Sequence, residues 1–173
     1  TQKLLNGGLG AEGTSDDTAV VELTSATGLE KGEYDVTVTT EATKASTADG
    51  SVAFDGTDQG VSTKDLTING SQIDFSDLAD TADVATVAAK INEYTEDTGV
   101  EASASGNNIS LSQTSYGSEP TINLGGADAA EFGGALTAGV DAEADITEPD
   151  GVTTHSLSGN GQKVTLESAE FNI

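Results

Sequence analysis

The run Leu66-Thr67-Ile68-Asn69-Gly70-Ser71-Gln72-Ile73-Asp74-Phe75 constrains local geometry more tightly than any other stretch of the chain. Leu66 and Ile68 alternate with polar residues, and so do Ile73 and Phe75, which is the period of a half-buried strand. Asn-Gly stands between them, and both residues tolerate the positive φ that a two-residue type I′ turn demands. An antiparallel hairpin is therefore predicted. Downstream the period changes. Val84, Val87, Ala88 and Ile91 recur at the three-four spacing of an amphipathic helix over about 80–94, with Asp77 or Asp80 as its cap. Val100, Ala102 and Ala104 return to alternation, Gly106-Asn107-Asn108 turns the chain, and Ile109 and Leu111 run back. Thr121 to Leu124 is expected to add a further strand.

The flanks read as mostly extended. Thr1 to Gly10 is a short apolar knot ending in glycines, and Val20, Val21 and Leu23 begin strand-like material. Tyr34, Val36 and Val38 alternate with polar residues, with Ser51 to Phe54 expected as their hairpin partner across a polar connection. Ala127 to Phe132 suits a single helical turn, and Asp141 to Gly151 an acidic loop. Val152 to Leu157 and Gln162 to Ile173 are expected to form a closing hairpin with Val164, Leu166 and Phe171 inward. The predicted class is α+β with β dominant, as antiparallel sheets carrying one amphipathic helix. Its parts are residues 1–10 as an exit segment, 11–60 plus 141–173 as a β-rich base lobe, and 61–140 as a hairpin–helix–hairpin lobe.

Thirty acidic residues stand against six basic ones, a formal charge of −24. A field of that sign repels phosphate backbones and anionic bilayers, so neither nucleic acid nor membrane is an expected partner. Disorder is the other reading of such charge, but hydrophobic residues make up 35% and fall in periodic runs, which argues for a folded core under an acidic skin. Cysteine is absent, which removes disulfides, thiolate nucleophiles and thiolate zinc sites. No stretch approaches the ~18 apolar residues of a membrane span. The abrupt ends suggest a piece of a longer polypeptide.

The segment from Leu66 to Leu124, with its LTING hairpin, AAKIN helix end, TGV-A strand and late I-x-L strand, resembles the flagellin IN motif. Such motifs occur in flagellins, in the filament-cap protein and in hook-associated proteins. TQKLLNG at Thr1–Gly7 and AEFNI at Ala169–Ile173 are similar to the two flagellin segments that flank an outer insertion. The resemblance implies the surface-exposed, hypervariable outer domain of a flagellin: extracellular, supporting motility, and joined to other flagellin subunits through a stem outside this sequence. The isolated piece is then expected to be monomeric. A lobe of the cap or hook-associated protein, or an adhesin-type binding module, is the alternative.

Chemistry offers little. His155 is the lone histidine, and a serine triad would need it to meet Ser156, Ser158 or a distant serine in strict geometry. No nucleophile elbow is present, and catalysis is not expected. Asp55 with Asp58, and the alternation Asp141-Glu143-Asp145, offer hard oxygen ligands of the kind calcium takes, without EF-hand spacing. Thirty carboxylates make chance clusters ordinary, so solvated loops and no metal or cofactor are expected. Asn69-Gly70-Ser71 and Asn108-Ile109-Ser110 match the N-glycosylation pattern, yet both asparagines read first as turn formers.

Overall fold

A computed structural model describes residues 2–5, 14–15, 22–25, 29–166 and 169–173. The chain divides into two compact units, one formed by residues 1–43, 116–118 and 140–173, the other by 44–115 and 119–139. In chain order the first unit supplies β1 (Gln2–Leu5), β2 (Thr14–Ser15), β3 (Glu22–Ser25) and β4 (Glu33–Thr40). The second then contributes β5 (Lys44–Thr47), β6 (Leu66–Ile68), β7 (Ser71–Ile73), α1 (Val84–Asn92), α2 (Thr95–Thr98) and β8 (Val100–Ser105). It continues with β9 (Asn108–Tyr116), whose last residue belongs to the first unit, β10 (Leu124–Gly125), α3 (Ala129–Phe132) and β11 (Leu136–Thr137). The first unit resumes with β12 (Glu143–Thr147), β13 (Thr154–Ser158), β14 (Lys163–Leu166) and β15 (Ala169–Asn172). The described strand pairings are antiparallel and the class is β-dominant, as the alternation predicts.

The second unit holds the predicted hairpin. Leu66 pairs with Ile73 and Ile68 with Ser71, while Asn69 (φ 50°) and Gly70 (φ 88°) form the turn. Helix α1 is shorter than the predicted span because its cap lies further on. Asp83, not Asp77 or Asp80, accepts from Thr86 N at 2.9 Å. Asp80 is instead spent on Ser62 N and Oγ, and Asp77 on Lys90. Val87, Ala88 and Ile91 are the buried face of α1, at the predicted spacing. They join Leu66, Ile68, Ile73, Val100, Ile109 and Leu111 in one core. Phe132 lies between Phe54 and Phe75 in that core, with ring centroids 5.4 and 5.2 Å away. Each such buried side chain contributes roughly 1.5–3 kcal/mol of transfer free energy.

Four expectations are corrected. Ser51–Phe54 does not pair with β4; Phe54 enters the second unit's core, and residues 44–60 go with it because β5 lies beside β9 in the sheet β11-β5-β9-β8. The expected acidic loop at 141–151 contains β12, which pairs with both β4 and β13, because Ala144 and Ile146 alternate inward between carboxylates. The expected closing hairpin is therefore two: β13 returns along β12, and β14 along β15. Of the expected strand Thr121–Leu124 only Leu124 lies in β10, which pairs with β6.

In the first unit a five-stranded sheet, β13-β12-β4-β1-β2, and a three-stranded one, β14-β15-β3, feed one core: Tyr34, Val36, Ala144 and Ile146 from the first meet Val164, Leu166 and Phe171 from the second. Strands β1 and β15 thus both belong to this unit. Most of the exit segment 1–10 beyond β1, and Val20 and Val21, lie outside the described residues.

Candidate functional site

Three asparagines of the second unit are engaged with backbone. Asn69 donates from Nδ2 to the carbonyls of Thr98 (2.7 Å) and Thr121 (3.1 Å), and its Oδ1 accepts from Asn123 N at 2.8 Å. Its turn is thereby tied to the end of α2 and to the segment that leads into β10. Asn108 donates to the carbonyls of Gly50 and Val52. Both glycosylation-pattern asparagines therefore have their amide hydrogens committed inside the unit, and an N-linked sugar at either would displace those bonds.

Asn92, at the last turn of α1, carries no sequence signal beyond its place in AAKIN. Its amide accepts from Ala102 N at 2.7 Å and donates to Ala102 O at 3.0 Å, as a neighbouring strand would. Thr98 Oγ1 accepts from Val100 N (3.1 Å), and Thr95 donates to Val100 O (3.0 Å). The outer edge of β8 at buried Val100 and Ala102 is thus satisfied by side chains, where an unpaired backbone group costs about 1–3 kcal/mol. Each of these three asparagines stands beside a fully buried isoleucine: Ile68-Asn69, Ile91-Asn92 and, reversed, Asn108-Ile109. The isoleucine fills the core and the asparagine ties backbone to backbone.

Residues 65–115 match the flagellin hook IN motif. The chain therefore carries a motif of flagellar proteins, and the hairpin, α1 and the β8–β9 pair are its realisation in space. Among solved structures, the chain is similar to the D2–D3 domains of the flagellar cap protein FliD from Serratia marcescens, with 20% identity and a TM-score of 0.60 over 89% of this chain and 92% of that one. The same two domains from Escherichia coli give 19% identity and a TM-score of 0.59, over 92% and 89%. A three-domain D1–D2–D3 structure of the Escherichia coli protein gives 20% and 0.58, and there the likeness spans 92% of this chain but 50% of that one. At these identities the likeness is one of fold. A sequence search of curated proteins finds no match.

The carboxylates marked as calcium candidates are distributed, not gathered. Asp55 Oδ1 accepts from Thr57 N and Oγ1, and Asp58 Oδ1 from Gly60 N, so each closes its own turn. Glu143 accepts from Thr40 Oγ1 and Asp145 from Ser156 Oγ. Asp141 accepts from Gly161 N (2.8 Å), Ser118 N (3.0 Å) and the Ser118 hydroxyl, and so fastens residues 116–118 to the β13–β14 connection of the first unit. Among the described residues no group of three or more His, Asp or Glu is arranged to hold a metal ion. His155 meets Glu148, at 2.6 Å, while the neighbouring Ser156 is turned to Asp145.

Two lysines gather carboxylates instead. Lys64 lies 2.6 Å from Glu131 and 4.0 Å from Asp128, and Lys90 lies 2.9 Å from Asp77 and 3.0 Å from Glu93. Hydrogen bonds to Asp77 and Glu93 hold the Lys90 ammonium well above its ordinary range. Several carboxyls are shifted the other way by the donors that surround them. Asp141 is lowered first by the Ser118 hydroxyl, Asp83 by Thr86, Asp150 by Thr153, Asp55 by Thr57, Asp74 by Ser76 and Glu170 by Lys163.

These shifts and the net charge pull in opposite directions, and the resulting pH profile is testable. A carboxyl whose pKa is depressed by folding stabilises the fold above its unfolded value, about 3.9 for Asp, and that stabilisation is lost as pH falls through the folded value. Partial neutralisation of the −24 charge relieves self-repulsion before that point. The melting midpoint is expected to rise from neutral pH to a maximum at about pH 5 and to fall steeply below about pH 4. Added salt should flatten the upper limb by screening. A midpoint that only climbs on acidification contradicts the donor-stabilised carboxyls.

Proposed function

We propose that this chain is the exposed outer part of an extracellular flagellar protein, with flagellin the first reading. Its work is structural display, not catalysis. The observation that carries this is the IN motif, realised as a hairpin–helix–hairpin unit whose asparagines serve as internal ties. Strands β1 and β15, similar in sequence to the segments that flank a flagellin insertion, both belong to the first unit, as expected of a lobe that leaves and rejoins a stem through one base. The acidic skin keeps neighbouring copies apart and filaments dispersed. Assembly with other subunits would use that stem, and the chain by itself would be monomeric. The described residues hold no helix long and apolar enough to cross a membrane, and the excess of acidic residues disfavours nucleic acid.

The cap protein is the second reading, favoured by a fold shared with FliD D2–D3 domains over about nine-tenths of the chain. Gold-labelled antibody raised against this chain separates the two on intact cells. Label along the whole filament is the expected outcome; label confined to filament tips assigns the chain to a cap, and filaments without label anywhere refute both.

A further inference from the structure

Among the described residues Asn-Gly occurs at Asn69-Gly70 and again at Asn160-Gly161, and these two pairs have opposite surroundings. Glycine has no Cβ to shield its nitrogen, so an Asn-Gly peptide is intrinsically open to attack by the glycine nitrogen on the asparagine side-chain carbonyl. At Asn69 the side chain is immobilised by two donated bonds and one accepted bond. At Asn160 the residue is exposed, borders an open cleft of about 430 Å³ with Lys163 and Glu170, and makes no side-chain hydrogen bond among the described residues. Gly161 N donates to Asp141 Oδ1 at 2.8 Å. The N–H that makes this bond lies in the peptide plane, whereas the ring closes on a face of the nitrogen. The carboxylate therefore already contacts the proton that must depart.

We propose that Asn160-Gly161 is a built-in self-modification site, at which the chain converts Asn160 to aspartate and isoaspartate without an enzyme. The Gly161 nitrogen bonds to Asn160 Cγ and loses its proton to Asp141 or water. The side-chain nitrogen takes up a proton and leaves as ammonia, closing a succinimide. Water then opens either carbonyl of the ring. Aspartate keeps the backbone and adds one negative charge, while isoaspartate routes the backbone through Cγ and adds a methylene to it. The altered peptide is the one whose N–H reaches Asp141, inside a turn closed by Asn160 N to Lys163 O (2.8 Å) and Lys163 N to Asn160 O (3.1 Å). Isoaspartate would therefore loosen the hold of Asp141 on this connection, in proportion to the age of the molecule.

The test is peptide mapping by mass spectrometry of the intact chain held in mildly alkaline buffer, with a parallel sample unfolded in urea. In the folded chain the peptide bearing Asn160 is expected to show the one-dalton gain and an isoaspartate signature. The Asn69 peptide should change about a hundredfold more slowly, since three hydrogen bonds must open there. In urea the two should converge. Asn160→Gln, whose longer side chain closes a ring poorly, should abolish the gain at 160 while leaving the melting curve unchanged. Equal rates at 160 and 69 in the folded chain, or an Asn160 peptide that stays unmodified while its unfolded counterpart reacts, overturns the proposal. Asn6-Gly7 lies outside the described residues and is resolved as its own peptide.

Discussion

Ile91→Asp is expected to unfold the second unit outright. Ile91 is fully buried on the face of α1 that also carries Val87 and Ala88, and it belongs to the core that contains Leu66, Ile109 and Phe132. The substitution forfeits about 1.5–3 kcal/mol of apolar burial. It also places a carboxylate in an apolar core, at a cost of several kcal/mol more unless it is protonated. Domains of ordinary stability hold only about 5–15 kcal/mol in reserve. Amide protection should disappear along β6, β7, β8 and α1, and helical circular dichroism should fall. Ile91→Val supplies the control, because one lost methyl group costs only about 0.5–1.5 kcal/mol. If the Ile91→Asp chain kept the parent melting curve, α1 would not present this face to the core.

Gly117→Ala is expected to be the most damaging single-carbon change in the first unit. Gly117 sits at φ +106°, a conformation that side chains of L-residues rarely adopt. An added Cβ would also lie 2.5 Å from Asp141 Oδ1, 2.7 Å from Gly161 Cα and 2.9 Å from Gly161 N. Backbone strain of about 1–3 kcal/mol therefore adds to the loss of the bonds that Asp141 accepts from Ser118 and Gly161, each worth about 1.5–3 kcal/mol as hydrogen bonds to a charged group. The measurement is hydrogen exchange at Ser118 and Gly161 together with the thermal midpoint. Both amides should lose protection and the midpoint should drop. Retained protection at both positions would mean that the backbone accommodates the methyl group elsewhere.

The acid candidates show why this site chemistry is only partly legible in sequence. Asp141 attracts notice as one of three alternating carboxylates, which suggests a ligand set. Its real partners, Ser118 and Gly161, lie 23 and 20 residues away, and neither has any feature that marks it. The AAKIN pattern gives Asn92 a place at the end of a helix and no more; its role as a stand-in strand for β8 has no signal, because Ala102 gives no hint of needing one. The cap of α1 lies a few residues beyond the predicted one because three aspartates stand before the helix, each competent to cap. The choice falls to Asp83 once tertiary contacts have claimed Asp77 for Lys90 and Asp80 for Ser62.

Hairpin, helix face and strand pair between 66 and 111 were determined by sequence alone, because turn chemistry and apolar period act over a few residues and need no distant partner. The same local signals marked Tyr34, Val36, Val164, Leu166 and Phe171 as inward-facing. Pairing between segments far apart was decided only in the tertiary structure. The two apolar residues Ala144 and Ile146, set between acidic ones, are too few to announce β12 as a strand, and they become one because β4 and β13 offer open edges on either side. Phe54 likewise has no local reason to leave the neighbourhood of β4. It goes to the second unit because a stacked aromatic site against Phe132 buries it completely. Short-range geometry is written into the order of residues, whereas the choice among equally plausible edges depends on which surfaces the whole chain can bury at once.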